Sequence, residues 1–164
     1  MSSKNKRDFK NIIKNIISNN KFKDMDNELH HGLSRYGHSL RVAKVTYMCA
    51  KALNLDYKSA TKAALLHDFY TNDDFQELKL NKMKNHAAIA LKNAREIYDL
   101  SKKEENIIAS HMYPISYVAP KYLESWLVTA VDKGVALYEI YRFKLSLVMA
   151  VWTVFLFNMI TIQR

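Results

Sequence analysis

Glycine and proline are scarce, 3 and 2 residues in a chain of 164. Turn-rich sandwiches and barrels, collagen-like repeats and low-complexity chains all need more of both. A chain with so few breakers reads as mostly helix. A single cysteine, Cys49, excludes an internal disulfide and cannot by itself build a zinc knuckle or ribbon, which suits a reducing cytoplasm. The N-terminus mixes lysines with apolar residues and lacks the uninterrupted apolar stretch of a secretory signal. The expected location is therefore cytoplasmic.

The composition that remains, 49% hydrophobic and 25% charged, is ordinary for a globular chain long enough to bury one core. The net charge of +9 resembles a nucleic-acid signature until its distribution is examined. Residues 1–23 carry Lys4, Lys6, Arg7, Lys10, Lys14, Lys21 and Lys23 against Asp8, a balance of +6 that leaves only +3 for the rest. Lysines outnumber arginines 19 to 6, and that excess, with the many Asn and Ile, also fits codon drift in an AT-rich genome. Nucleic acid is not the expected partner.

Helical periodicity accounts for most of the chain. Phe9, Ile12, Ile13, Ile16 and Ile17 form an amphipathic stripe, expected to pack on the core in preference to a membrane surface. A loop is expected over residues 24–37, followed by a helix from about Ser39 to Leu53. Ser59 is the expected cap of a third helix that ends in His67-Asp68. The polar stretch 70–84 reads as a loop over one end of the bundle. A fourth helix spans about His86 to Tyr98. Ser101 to Glu104 has the S-x-x-E form of a capping box, so a fifth helix begins there and runs into His111. Pro114 and Pro120 interrupt it, and a sixth helix from about Lys121 to Tyr141 carries Asp132.

Five of these helices place a histidine or an acid at an end or on an inward face: His38, His67-Asp68, His86, His111 and Asp132. Helical bundles build metal sites in this way, from side chains on different helices that converge in the middle. Imidazole and carboxylate donors suit divalent Fe, Mn, Zn, Co or Mg more than the soft metals that thiolates select. Each residue alone has a plainer reading, a surface histidine for His86 or a salt-bridged acid beside Lys133 or Arg142 for Asp132.

Taken together, the stretches HHGLSRYGHSLRVA at 30–43, AALLHDFY at 63–70, NHAAIALKNA at 85–94, IIASHMYP at 107–114 and ESWLVTAVDK at 124–133 resemble the HD-domain metal-dependent phosphohydrolases. The resemblance covers residues 30 to about 140 and implies an all-α HD-domain helical bundle. It implies a first metal site of His38, His67, Asp68 and Asp132, with Asp68 able to bridge. His86 and His111 match the extra histidines by which similar enzymes hold a second ion. One or two divalent ions are thus the expected cofactor. A metal held by such donors keeps positions open for water, lowers that water's pKa and offers positive charge to phosphoryl oxygens. The implied reaction is hydrolysis of a phosphate ester, with a nucleotide or another small phosphorylated metabolite as substrate. The alternative is a module that senses a nucleotide without turnover.

Related single-metal enzymes carry a carboxylate shortly after the His-Asp pair. Asp73 and Asp74 are the nearest carboxylates here, and the family position falls on Asn72 or Asp73 depending on register, with Asp73 the candidate general acid. Arg35 and Lys133 flank ligand positions and are candidates for holding the substrate phosphate. His30 and His31 read as a site rim or a solvated turn. Phe69-Tyr70 replaces the glycine-bearing signature of cyclic-di-GMP enzymes, which argues against that substrate.

From Leu145 to Ile162 no residue is charged. Eighteen such residues approach the length that spans a bilayer, and Arg142 and Lys144 precede them. A membrane tail anchor holding the enzyme on the cytoplasmic face is the expectation here, ahead of a buried or dimer-forming helix in a homo-oligomer. Trp152 in mid-segment and Asn158 stand against it. The expected division is a basic helix over 1–23, the HD domain over 24–142 and an apolar helix over 143–164.

Overall fold

The computed structural model describes the backbone of residues 1–27, 29–30, 33–76 and 82–162, and their side chains except at 27, 29–30, 33, 75–76, 82–84, 151 and 154–162. Among the described residues eight α-helices carry the fold: α1 (Ser3–Ile17), α2 (Asn20–Asp24), α3 (Arg35–Ala52), α4 (Tyr57–Leu66), α5 (Asp73–Gln76), α6 (Lys82–Ile97), α7 (Lys102–Ser110) and α8 (Leu123–Ile162). A 3-10 turn at Met25–Asn27 and two-residue strands β1 (Leu29–His30) and β2 (Leu33–Ser34), paired antiparallel, link α2 to α3. The all-helical expectation holds, with this small hairpin as its only sheet among the described residues. His31 lies outside the described residues, as does the side chain of His30.

The helices begin and end for local reasons. Ser2, Asn19, Ser34, Asp56 and Ser101 cap α1, α2, α3, α4 and α7 by accepting a backbone N–H from the first turn. Ser101 completes a capping box: its hydroxyl accepts from Glu104 N, and Glu104 Oε2 accepts from Ser101 N at 2.8 Å. At α4 the cap is Asp56 rather than Ser59, whose own N–H donates to the Asp56 carboxylate at 3.2 Å. The aspartate sits earlier in the chain and captures the first orphan donors. Helix α3 starts at Arg35, four residues before the expected start, because its first turn buries polar side chains that an apolar pattern does not register.

One core joins these elements. Phe9, Ile13 and Ile16 of α1 pack with Val42, Ala43 and Tyr47 of α3, Ala63 to Leu66 of α4, Ile107 and Ile108 of α7, and Val128 and Val135 of α8. The amphipathic stripe of α1 thus faces the core, and segment 1–23 shares one hydrophobic cluster with the central domain. Helix α3 packs mainly on α4 and α8, and α7 bridges α4, α6 and α8. These contacts bring the ends of α4 and α7 and the middle of α8 around the first turns of α3.

The sixth predicted helix and the apolar run are one uninterrupted helix of 40 residues, α8. Every side chain from Tyr141 to Ala150 is exposed. Among the described residues no helix is long and apolar enough to cross a membrane. Most of the apolar run that suggested a tail anchor, Val151 and 154–162, lies outside the side chains the structure describes.

Candidate metal centre

His38, His67, Asp68, His86, His111 and Asp132 converge. His38 stands one turn into α3, His67 and His111 are the C-cap residues of α4 and α7, His86 lies in α6 and Asp132 in α8. Using one donor atom each, His38, His67 and Asp68 form one group, His67, His111 and Asp132 a second, and Asp68, His86 and His111 a third, with all atoms of a group within 4.8 Å of one another. His67, Asp68 and His111 each belong to two groups.

The two C-cap histidines are oriented by their own helices. His67 Nδ1 lies 2.7 Å from the carbonyl oxygen of Ala64, and His111 Nδ1 lies 2.8 Å from that of Ile108. A carbonyl can only accept, so Nδ1 carries the proton in both neutral rings. The last turn of each helix thereby satisfies an orphan carbonyl and frees an Nε2 lone pair for the centre. His67 Nε2 is 3.4 Å from Asp132 Oδ1 and 3.6 Å from Asp68 Oδ2. His111 Nε2 is 3.6 Å from Asp68 Oδ1 and 3.1 Å from His86 Nε2. His38 points Nε2 at Asp132 Oδ1, 3.0 Å away, and Nδ1 at Glu139 Oε2, 2.8 Å away.

The field at this point is strongly negative and almost dry. Burial alone would depress the His38 imidazole, but its bonds to Asp132 and Glu139 outweigh burial and push it up to about 10. Burial likewise works against the charged His67, and the carboxylates of Asp68 and Asp132 raise it nonetheless. Asp68 would be raised by burial and is instead held well below the usual carboxylate range by His67, His111 and His86. Asp132 behaves in the same way under His38 and His67. A field that draws protons onto imidazoles draws a divalent cation for the same reason. Two atoms give the sharper test. His67 Nε2 and Asp68 Oδ1 are buried without a hydrogen-bond partner, a condition that costs about 1–3 kcal/mol each unless something cationic completes them. The residues present fit a divalent ion.

Other predicted site residues have different surroundings. Arg35 is 1% exposed; one Nη donates to the Tyr70 carbonyl at 2.9 Å, and the guanidinium stacks 4.0 Å over the Tyr70 ring. The Tyr70 ring in turn lies against His86, centroids 5.6 Å apart. Lys133 donates to the carbonyls of His111 and Tyr113, at 3.2 and 3.0 Å, and so ties down the turn after α7. Asp73 is exposed in the first turn of α5. Its neighbour Asp74 accepts from Thr71 N at 2.7 Å and from Asn93 Nδ2 at 3.0 Å, which fastens the segment after His-Asp to α6.

Glu139 and Arg41 escaped the sequence reading. Glu139 is 1% exposed and binds both His38 and the guanidinium of Arg41. The available signal was spacing: Glu139 follows Asp132 by seven residues, two helical turns along the same face.

An all-helical bundle whose centre gathers histidines and aspartates from five helices has the make-up of a helical metal-binding domain. The model of the HD domain matches residues 35–136, more than half of the chain. The chain belongs to the HD-domain family, within the superfamily of metal-dependent phosphohydrolases. No curated protein and no solved structure matches it significantly.

Proposed function

We propose that this HD domain hydrolyses a phosphate ester of a nucleotide or another small phosphorylated metabolite. In this reading His38, His67, Asp68 and Asp132 hold one divalent ion, and Asp68, His86 and His111 hold a second. The observation that carries it is the sharing of Asp68 between two compact donor groups, with Asp68 Oδ1 and His67 Nε2 left without hydrogen bonds in a buried site. The opposed Nε2 atoms of His86 and His111, 3.1 Å apart, support the second position. A donor set of imidazole and carboxylate suits Fe, Mn, Co, Zn or Mg.

A divalent ion at such a site lowers the pKa of a bound water toward neutrality and neutralises phosphoryl oxygens. The chain's own part is orientation and charge. Asp68, buried, and Asp132, part-buried, both ionised, set the negative field, while backbone carbonyls fix the tautomers of His67 and His111. Arg35 holds Tyr70 against His86, and Lys133 holds the carbonyl of His111, so both cations steady the rim of the pocket. Asp73, exposed five residues after Asp68, is the carboxylate we assign to protonate the leaving group.

Metal analysis of purified protein combined with a phosphate-release screen over nucleotides tests this. Asp68→Ala is expected to abolish metal-dependent release. Asp73→Asn is expected to slow esters with poor leaving groups at least tenfold while sparing p-nitrophenyl esters, whose leaving group needs no proton. Full activity of the Asp68 variant, or no phosphate release with any of the five metals, would sink the assignment.

A further inference from the structure

The three histidines whose outer nitrogen is described are not held alike. His67 and His111 each bond a carbonyl of their own helix, Ala64 and Ile108. His38 is held from outside, by a charged side chain on another helix: Glu139 of α8, 101 residues further on, at 2.8 Å. Glu139 is itself 1% exposed and its second oxygen takes the guanidinium of Arg41. Arg41 lies three residues after His38 on α3, so one carboxylate bonds two side chains of the same helical face.

We infer that Glu139 is a positioning residue for the metal centre, and that with Arg41 it sets the donor nitrogen of His38. This rests on the metal-binding reading above. A carboxylate only accepts, so Glu139 holds a proton on His38 Nδ1, and Nε2, whose proton Asp132 accepts at 3.0 Å, is the nitrogen that would turn to an ion once that proton is displaced. The partner's charge also makes that nitrogen a stronger donor. Arg41 pairs with the other oxygen of Glu139, so the carboxylate is held from both sides and cannot swing away from His38. Asp132 sits on the same helix two turns earlier. The Glu139–His38 bond therefore fixes the spacing between two ligands that belong to different helices, α3 and α8. No backbone carbonyl substitutes for it, because the ring stands in the first turns of α3, where the helix presents N–H groups rather than free carbonyls.

Metal affinity provides the test, read on apo-protein titrated with Mn²⁺ by electron paramagnetic resonance, and with Co²⁺ by its visible absorption. Glu139→Ala is expected to weaken the tighter site about 10- to 100-fold, the range for such outer partners of ligating histidines, and to alter the Co²⁺ spectrum. Glu139→Gln keeps an acceptor for His38 without the charge and is expected to lose less than Glu139→Ala. Arg41→Met, which leaves the carboxylate in place, is expected to lose least. A purely structural role predicts lower melting temperatures with unchanged Mn²⁺ affinity. That result in folded Glu139→Gln and Glu139→Ala overturns the inference, and if the alanine variant does not fold, the near-isosteric glutamine variant decides. Wild-type protein that takes up no ion overturns the hydrolase reading and this inference together, whereas wild-type uptake with indifferent Glu139 variants overturns this one alone.

Discussion

Asp68 and Glu124 are both buried carboxylates, and their partners separate their roles. Asp68 has an oxygen with no hydrogen bond, which suits a ligand. Glu124, 7% exposed at the start of α8, has its bonds made: Oε1 accepts from Lys103 Nζ at 2.9 Å and from Asp56 N at 3.0 Å, and Lys103 also reaches Asp56 Oδ2 at 3.3 Å. Burial would raise the Glu124 carboxyl, yet Lys103 and the Asp56 N–H outweigh it and hold it below its usual 4.5. Asp56 is lowered too, against burial, by its bonds to Ser59 and Lys103. Because both folded values lie below the unfolded ones, this stabilisation is fully present above about pH 4.5 and is lost as pH falls through the folded values. Lys103→Met should cost about 1 kcal/mol at pH 7, a fall of about 2–4 °C in melting temperature. It should also flatten the decline of melting temperature below pH 4.5. An acid limb as steep as in the wild type would show that Lys103 does not set these carboxylates.

At the scale of elements, local signals were legible where they repeat every three to four residues. The stripe of α1 and the capping box of α7 were both readable, since each depends on neighbours in sequence. Ser101→Ala should lower stability by about 1 kcal/mol, measured by urea unfolding with an unchanged slope; a change below about 0.3 kcal/mol would mean that the buried Glu104 holds the turn without it. The start of α3 was missed because Arg35 and His38 are buried polar residues, invisible to an apolar period. Asp56 was passed over as the α4 cap in favour of Ser59, a plausible capping type one turn too late. Among the site residues, the six histidines and aspartates of the centre stood out because such residues are few and the family resemblance aligned them. Glu139 did not, because acids are common on helices and its meaning depends on α8 pairing with α3, a contact between positions 101 residues apart.

Over the whole molecule, charge and hydrophobicity are distributed differently from what the totals suggest. Most of the +9 sits on residues 1–23, yet α1 is not an appendage: Tyr47 donates to Asp8 at 2.8 Å, and Lys51 bonds both Asn5 and Asp8. Its lysines face outward from a helix whose other face completes the core. The hydrophobic excess is likewise shared between that core and the far half of α8, a helix whose 40 residues at 1.5 Å each make a rod of about 60 Å.

That rod has a boundary. Glu139 is the last buried side chain along α8 before the exposed stretch 141–150. Amide exchange should therefore divide there, slow from about Val128 to Glu139 and fast over 141–150, and an exchange profile without a step between the two would contradict it. Any loosening of the exposed stretch 141–150 meets a carboxylate clamped by an arginine and an imidazole before it reaches Asp132. The side chain that grips His38 thus also acts as a stopper, insulating the ligands from the loosening of the helix that carries one of them.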